Sequence, residues 1–562
     1  MRVLILGGYG SFGKNIAKLL ANEEGLTFIL AGRNLGKAEQ ACKILDTGKA
    51  TFKAAQIDRN HDLAAQIDTP PHIIIDATGP FQTFQGDTRE HVVRYALAVG
   101  ANYCDLSDDT DFISHIQSFD DMAKDANITA LSGLSTYPVL TAAVTKYLLP
   151  HVPRPTALYT GIAPSPQARL GKNVLAAILN GAGRRAVYHR DKNRTGRTFG
   201  LTKAMRKTIA PPLGTPLKSL TFAQVDSPES LFLTNIDSLN TLQNFAGPQP
   251  IWMMKLLIIL SRLARFRLFP PLRFFTNVFH RLHGLLTYGH HRSGYFVTLK
   301  NEQSCAEFHL SAEGDDGPMI PAIPAAIFIK KCLHGHKFKH GARSGVDDIS
   351  FDDYRVFFDQ LNISYGHYLA HKGLDTQPVY RQLLGDGFAK LPQEIQSLHH
   401  IDREKTYKGR ANITRGKNPL GAIICALFGF PKAGRNIDVS IRRVPLKDNL
   451  ELWERNFGGQ KMRSTQAVGT DRRSHMIVER FGPIAVNLTY TQDGEKFRVK
   501  TNGWRAFGIP MPKFLSPYGD VHEQAKDGLF HFHVELCVPI IGRLVTYVGW
   551  FTPEPVEVGK SL

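Results

Sequence analysis

The chain has 562 residues, 43% of them hydrophobic, which is enough for several globular domains. Its six cysteines are far apart and none forms a Cys-x-x-Cys pair, so neither a disulfide scaffold nor a zinc site is indicated. The net charge of +18 favours anionic partners, such as phosphate groups or lipid head groups. No nucleic-acid-binding motif occurs. We therefore predict a cytoplasmic protein that binds neither a metal nor nucleic acid.

The first predicted elements are a buried strand at 3–6 and a helix over 15–20. Between them, Gly8, Gly10 and Gly13 form a Gly-x-Gly-x-x-Gly pattern at a strand-to-helix turn. Such a turn lets backbone N–H groups approach a pyrophosphate, and the helix N-terminus adds a positive dipole end. The predicted dinucleotide contacts in this turn are Gly7, Gly8, Gly10, Ser11, Phe12 and Gly13.

A second predicted strand, at 27–31, leads to Gly32 and Arg33. Sites selective for NAD(H) usually place an acid about 20 residues after the glycine turn, where it would repel a 2′-phosphate. Because arginine can pair with that phosphate, the sequence favours NADP(H) over NAD(H). Asn34 and, after a third strand at 54–58, Asp58 complete the contacts predicted on this side.

Further strands are predicted at 72–77, 102–107 and 129–133, and helical segments separate them. This alternation indicates a doubly wound, Rossmann-type parallel sheet over residues 1–150, with ligands at the carboxyl ends of the strands. The segment after the fourth strand is predicted to line the cofactor through Thr78, Gly79, Pro80 and Phe81.

Residues 151–362 change character, and we assign them to an α+β domain for substrate binding or dimerisation. The basic amphipathic segment 238–301 contains no Asp or Glu. Its apolar run is too short to span a bilayer, so we expect peripheral membrane contact through 251–282. The alternatives are a helix packed inside the protein and a homodimer contact.

Residues 376–560 read as a mainly antiparallel β domain, because alternating segments flank Asp493–Gly494 in a hairpin pattern. We predict an open barrel or a curved sheet that can enclose an apolar cavity. His531, His533 and Glu535 share one side of a strand, but no third metal ligand of fixed position accompanies the histidines.

The first ~350 residues resemble the saccharopine dehydrogenase-like oxidoreductases. The matching motifs are the glycine turn, Gly32–Asn34, Thr78–Phe81, Tyr103–Ser107 and Gly133–Pro138. Many relatives carry Gly-Phe-Asp-Ser-x-Pro in the last motif, where this chain has Leu134, Ser135 and Thr136, so an acid is missing. Residues 376–560 resemble a domain of unknown function that is often fused behind such enzymes. Its marks here include Trp453–Gly459, Glu479–Gly482 and Gly508–Pro512.

The resemblance implies hydride transfer with a nicotinamide cofactor, which usually needs a proton donor beside the substrate. The candidate catalytic residues are Tyr137, Ser135 and Asp105. Tyr137 is the predicted donor, with a buried hydroxyl bonded to backbone as the alternative. Asp105 is equally consistent with a helix cap.

Three functions follow from these observations. The first is an NADP(H)-dependent oxidoreductase acting on a lipid-like or apolar carbonyl or alkene. The second is a lysine-pathway dehydrogenase, which must grip carboxylates with arginines such as Arg169, Arg184 and Arg185. The third is a non-enzymatic protein that senses a dinucleotide or binds a lipid.

Overall fold

A computed structural model describes residues 1–553 except 47, 168–178, 180–181, 183–184, 192–193, 200, 202–203, 226–227, 229–235, 237, 248–250, 267–269, 271, 286–290, 372–377, 447–448, 471–472 and 474. The chain divides into two compact units. The first comprises Met1–Lys207, Leu220–Glu302 and Leu310–Ile363, and the second comprises Thr208–Ser219, Gln303–His309 and Ser364–Leu562.

The N-terminal part of the first unit is built on a seven-stranded parallel sheet. Its strands are β1 (Arg2–Leu6), β2 (Thr27–Gly32), β3 (Thr51–Gln56), β4 (Ile73–Asp76), β5 (Asn102–Asp105), β6 (Thr129–Ser132) and β15 (Gly341–Ser344). The order is β15-β6-β5-β4-β1-β2-β3, so the direction of winding reverses at β1. The predicted doubly wound sheet is confirmed. Its seventh strand comes from within the segment that the sequence assigns to the middle domain.

Helices connect or flank these strands. They are α1 (Ser11–Leu19), α2 (Leu35–Leu45), α3 (His91–Val99), α4 (Thr110–Gln117), α5 (Asp120–Asp125), α6 (Thr141–Leu148), and later α9 (Ile323–Leu333) and α10 (Phe351–Phe358). The strands at the sheet centre are apolar on both faces, and all four residues of Val3–Leu6 are essentially inaccessible to solvent. Their polar ligand-binding groups must therefore come from the loops at the carboxyl ends.

The middle region is a mixed α+β structure, as predicted. Its strands are β7 (Ala157–Ala163), β8 (Arg185–Asp191), β9 (Arg194–Phe199), β10 (Ala204–Ile209), β11 (Leu217–Val225), β12 (Thr241–Ala246), β13 (Ser293–Lys300), β14 (Ser304–Ala312) and β16 (Ile363–His371). Strand β7 pairs with β12 in parallel and with β13 in antiparallel orientation. The helices here are α7 (Ile251–Arg265) and α8 (Thr276–Leu285).

Helix α7 is packed on one face and exposed on the other. Met254, Leu257 and Ile258 are buried in an apolar cluster, whereas Leu256 and Ile259 are exposed. In the described part of the chain, no helix has the length and apolar character that crossing a membrane requires.

The C-terminal unit contains a closed antiparallel barrel. Helices α11 (Val379–Leu384) and α12 (Gln393–His399) precede it, and α13 (Pro419–Leu427) follows its first strand. The strands are β17 (Lys405–Arg415), β18 (Gly434–Pro445), β19 (Glu451–Phe457), β20 (Gln460–Val468), β21 (Ile477–Phe481), β22 (Ile484–Asp493), β23 (Lys496–Ala506), β24 (Ile509–Pro510), β25 (Val521–Lys526), β26 (Leu529–Val538) and β27 (Gly542–Phe551).

Ten of these strands form a ring, because β22 pairs with β23 as well as with β21, while β24 lies outside the ring. The antiparallel β prediction is confirmed, and the open form of the barrel is wrong. Closure removes the exposed edges that an open sheet would present.

Candidate active site

The glycine turn after β1 is a close contact between three backbone segments. Gly7 has φ +75°, and a Cβ built on it would lie 2.7 Å from the Ala77 carbonyl oxygen at the end of β4. A Cβ on Gly13 would lie 2.6 Å from the Gly7 oxygen. Side chains are therefore excluded from both positions, and helix α1 packs tightly against the strand that precedes it.

The N-terminus of α1 has donors to offer. Gly10 precedes the helix without a side-chain cap, and the first turn holds no acidic residue. The first hydrogen bond inside the helix runs from Lys14 N to Gly10 O at 3.0 Å. The N–H groups of Ser11, Phe12 and Gly13 thus have no acceptor within the helix, and they fit the phosphates of a dinucleotide.

A second set of groups lies at the end of β2. The Arg33 side chain is exposed, and nothing in the described part of the chain forms an ion pair with it. The Asn34 side chain accepts a hydrogen bond from Lys37 N at 2.9 Å and caps α2. Asn34 therefore supports the loop through its side chain, while the Arg33 side chain is free of ion pairs within the described part of the chain.

Tyr9 joins these two parts of the site. A Cβ on Gly32 would lie 2.5 Å from the Tyr9 ring, and the Tyr9 hydroxyl accepts a hydrogen bond from Asn34 N at 3.2 Å. Sequence reasoning missed Tyr9, although its place between Gly8 and Gly10 was an available signal.

Asp58 lies two residues beyond the end of β3, and its carboxylate forms a hydrogen bond within the same loop. It accepts a hydrogen bond from Asn60 N at 3.1 Å, and Gln66 bonds both its N–H and its carbonyl. The side chain is partly exposed.

The loop after β4 is held by a buried ion pair. Arg59 donates to the Asp76 carboxylate at 2.9 Å, and the same carboxylate accepts a hydrogen bond from Thr78 N at 3.1 Å. Thr78, Gly79 and Pro80 are partly exposed beside the glycine turn, whereas the Phe81 ring is buried against Phe112. Only the backbone of Phe81 can line a cofactor here. Arg59 was not foreseen, because its partner is fixed by tertiary structure.

Asp105 is buried and ties two strand ends together. Its carboxylate accepts hydrogen bonds from Ser107 N and Gly133 N, both at 2.9 Å, and from the Tyr103 hydroxyl at 3.0 Å. Burial raises the pKa of Asp105 to about 6, although the hydrogen bonds from Gly133, Ser132 and Ser107 oppose that rise. It does not cap the next helix, since Asp109 caps α4.

Tyr137 and Ser135 lie in the loop after β6. The Tyr137 hydroxyl donates to the Phe245 carbonyl at 3.2 Å, and Thr160 donates to the same hydroxyl at 3.4 Å. Ser135 is partly exposed, and its N–H donates to the Gly133 carbonyl at 2.7 Å. Tyr137 thus makes the hydrogen bond to backbone that was the alternative to its role as proton donor. Arg169, Arg184 and the side chain of Arg185 lie outside the described residues.

These loops place the glycine turn, Arg33, Thr78, Asp105 and Ser135 along the carboxyl edge of one parallel sheet. Residues 3–131 match the model of the saccharopine dehydrogenase NADP-binding domain. The chain carries that domain. Residues 391–551 match a second model, the domain of unknown function DUF4166. Both predicted resemblances are confirmed, and residues 3–131 have the fold of an NAD(P)-binding oxidoreductase domain.

Solved structures that match this chain at low sequence identity include three dehydrogenases. Saccharopine dehydrogenase (L-Glu forming) from Saccharomyces cerevisiae is 14% identical with a TM-score of 0.46, and the match covers 66% of this chain and 99% of that one. A dehydrogenase from Chromobacterium violaceum is 9% identical with a TM-score of 0.29, and the match covers 64% of this chain and 94% of that one. UDP-N-acetylglucosamine 3-dehydrogenase from Acidithiobacillus ferrooxidans is 11% identical with a TM-score of 0.29, and the match covers 62% of this chain and 92% of that one. No curated protein sequence matches the chain.

Proposed function

We propose that the protein is an NADP(H)-dependent oxidoreductase that transfers hydride to an apolar carbonyl or alkene, or removes it from the corresponding alcohol or saturated chain. The observation that carries the cofactor choice is Arg33, an exposed cation in the loop after β2. Lys37 adds a second exposed cation one helical turn away. A 2′-phosphate would find attraction there, whereas a site built for NAD(H) would place an acid.

The glycine turn fits the rest of the cofactor. Free N–H groups at Ser11, Phe12 and Gly13 would hold the pyrophosphate, and the loop of Thr78 to Pro80 would line the nicotinamide end. When bound, the nicotinamide supplies or accepts the hydride. The protein's own contribution is to orient the cofactor and to exclude side chains from the turn.

The experiment for the cofactor is a pair of titrations on Arg33→Ala, one with NADPH and one with NADH. Losing a charge-assisted contact should weaken NADPH binding by about 1–3 kcal/mol, roughly 5- to 150-fold, and leave NADH binding nearly unchanged. Lys43→Ala is the matched control, because it removes the same charge from the distal end of α2. Equal losses for both cofactors would refute the assignment.

A second candidate function is dinucleotide binding without catalysis. The hydroxyl of Tyr137 and the carboxyl of Asp105 both engage backbone partners, which favours a structural role for each. Tyr137→Phe separates the two functions. An enzyme that uses Tyr137 loses turnover at unchanged NADPH affinity. Saccharopine belongs in the substrate panel, because its turnover with NADP⁺ would indicate the lysine-pathway alternative.

For the partner we propose an anionic membrane surface that meets segment 251–282. Leu256, Ile259 and Phe266 are exposed beside Lys255 and Arg262. Co-sedimentation with anionic liposomes should be strong at low salt and fall as salt rises, because the Debye length shortens. No binding at low salt would exclude this contact.

A further inference from the structure

The barrel of the second unit encloses a cavity of about 1000 Å³. This lies at the upper end of the size range typical of small-molecule sites. Every second residue of a barrel strand faces inward. Most of the residues that face this cavity are apolar. The apolar lining includes Phe457, Met462, Leu488, Phe530, Phe532 and Val534.

One end of the cavity is closed by the two helices that precede the barrel. The Tyr380 hydroxyl donates to Gln466 at 3.0 Å and shares a 2.8 Å hydrogen bond with the Tyr490 hydroxyl. His399, which is fully buried, contacts the Glu523 carboxylate at 2.6 Å. These contacts fix α11 and α12 as a polar floor.

The other end carries an apolar rim. Because neighbouring strands are antiparallel, every second connection lies at that end of the barrel. These connections are the turns β19–β20, β21–β22 and β26–β27, helix α13, and the loop from β23 to β25. We call these segments, 416–433, 458–459, 482–483, 507–519 and 539–541, the rim. Of the exposed large apolar residues described in the barrel, all but Leu446 and Val548 belong to it: Leu420, Ile423, Leu427, Phe507, Ile509, Phe514, Tyr518 and Ile540.

The charge of the rim is mainly basic. Its segments contain three exposed lysines, Lys417, Lys432 and Lys513, and the one acid in the loop that leads to β25, Asp520, pairs with Arg498. An apolar ring with basic residues among its members is complementary to a bilayer with anionic head groups. Ile424, Phe428 and Leu515 extend from the rim segments into the cavity lining, so rim and cavity are continuous.

Most charged groups in the cavity wall are already paired; among the described residues that line it, Lys500 and Glu535, which have opposite signs, form no ion pair. Arg455 donates to Glu479 at 3.0 Å and to Ser464 at 2.9 Å, and Ser464 donates to Glu479. An ionised ligand would therefore leave water for a largely apolar wall in which most charges already have a partner, at a large desolvation cost. A neutral ligand avoids that cost.

One hydroxyl in the wall remains for a polar group. Among the described residues nothing forms a hydrogen bond with the Tyr547 hydroxyl, which lies near Arg455 and lines the cavity. Burial raises its pKa to about 12, so it stays protonated and can donate a hydrogen bond to an oxygen.

We propose that the barrel binds one neutral, long-chain lipid with a carbonyl oxygen, and that the lipid enters from an anionic membrane through the rim. The apolar chain would fill the cavity, and the carbonyl would accept a hydrogen bond from Tyr547. This proposal concerns binding alone and does not depend on the proposed oxidoreductase activity.

The test is native mass spectrometry of the full chain with methyl oleate, in the absence of NADPH. Val534→Trp fills the cavity and should abolish the complex. Val548→Trp is the matched control, because Val548 is exposed on the outer face of the barrel. Loss in the first variant with retention in the second supports the proposal, and any other pattern overturns it.

Tyr547→Phe keeps the ring and removes the hydroxyl, so it serves if Val534→Trp does not fold. It should weaken methyl oleate binding about 5- to 10-fold, the effect of one hydrogen bond, and leave the binding of octadecane unchanged. Equal affinities of Tyr547→Phe and wild type for methyl oleate would overturn the role of this hydroxyl.

Lipid uptake from vesicles tests the rim. Wild-type protein should extract methyl oleate faster from phosphatidylcholine vesicles that contain phosphatidylserine than from vesicles without it. Leu427→Asp with Phe514→Asp should slow extraction and leave binding from detergent solution intact. Unchanged extraction by this double variant would overturn membrane entry, and an NADPH titration run in parallel keeps this result separate from the cofactor proposal.

Discussion

The cofactor edge of the first unit and the cavity of the barrel treat polar groups in opposite ways. At the edge, N–H groups of α1 and the Arg33 guanidinium are left without partners in the described structure. In the barrel, Arg443, Arg455 and His399 are paired with Glu451, Glu479 and Glu523. The first arrangement favours an anion, because a phosphate would satisfy the open donors. The second favours a neutral ligand, because most charges in the cavity wall already have a partner.

The strongest test of this contrast removes one partner of a buried pair. Arg443 is fully buried and donates to Glu451 and to the Leu398 carbonyl. Arg443→Met should destabilise the barrel by about 3–5 kcal/mol, because Glu451 would remain buried without its counter-charge. Three of the four tryptophans lie in the barrel, so urea unfolding followed by tryptophan fluorescence reports this change.

The neighbouring residue provides the control. Arg442 pairs with Glu404 at 2.7 Å, but both side chains are well exposed. Arg442→Met should therefore cost at most about 1 kcal/mol. Similar losses for the two variants would show that the pairing inside the barrel contributes nothing beyond a surface ion pair.

A buried acid that ties the cofactor edge together gives the next largest effect. The folded protein raises the pKa of Asp105 from 3.8 to about 6, so folding favours the protonated carboxyl. The stability that this group contributes is complete below pH ~4 and is lost as pH rises through ~6. Asp105→Asn cannot ionise, so its stability relative to wild type should increase over that window by at most about 3 kcal/mol.

The measurement is urea unfolding of both proteins between pH 4 and pH 8, using the transition that NADPH shifts to higher urea. A difference between the two proteins that stays constant with pH would contradict the raised pKa. A variant that becomes relatively less stable with rising pH would show that the ionised carboxylate is the favoured form.

The tight glycine turn gives an intermediate effect. A Cβ at Gly13 would lie 2.6 Å from the Gly7 oxygen and 2.8 Å from Gly8 Cα. Gly13→Ala should cost about 1–3 kcal/mol of stability and weaken NADPH binding at least tenfold, because α1 must move away from β1. At Gly36 the nearest atom would be 3.7 Å away, so Gly36→Ala should be neutral or stabilising by up to about 1 kcal/mol. NADPH fluorescence titrations and thermal melts separate the two variants.

Sequence patterns predicted the parts of this molecule that depend on local order. The parallel sheet was predicted from apolar runs, and the glycine turn from three glycines at fixed spacing. The hairpin pattern at Asp493–Gly494 predicted the antiparallel domain. Barrel closure was missed, because it depends on the pairing of the first strand, β17, with the last, β27, which are far apart in the chain and which alternation does not encode.

The candidate active site was likewise predictable only where it depends on local sequence. The backbone donors of α1 could be placed from the sequence, but the partners of buried side chains could not. Arg59 meets Asp76, and Tyr137 meets the carbonyl of Phe245, through contacts between segments that are distant in the chain. The pairing of Asp105 with Gly133 N likewise joins two strand ends that only the folded sheet brings together.

The smallest effect concerns the role of Asn34, for which sequence and structure suggest different contacts. If its side chain serves as the cap of α2, Asn34→Ala should cost about 1 kcal/mol of stability, and Asn34→Ser should restore most of it. NADPH affinity should then fall only slightly in both variants, since Arg33 keeps its charge and Tyr9 still accepts from the backbone N–H of residue 34. If the side chain contacts the cofactor instead, both variants should lose NADPH affinity with little change in melting temperature. Thermal melts and NADPH titrations on the same two proteins therefore decide between a cap and a ligand contact.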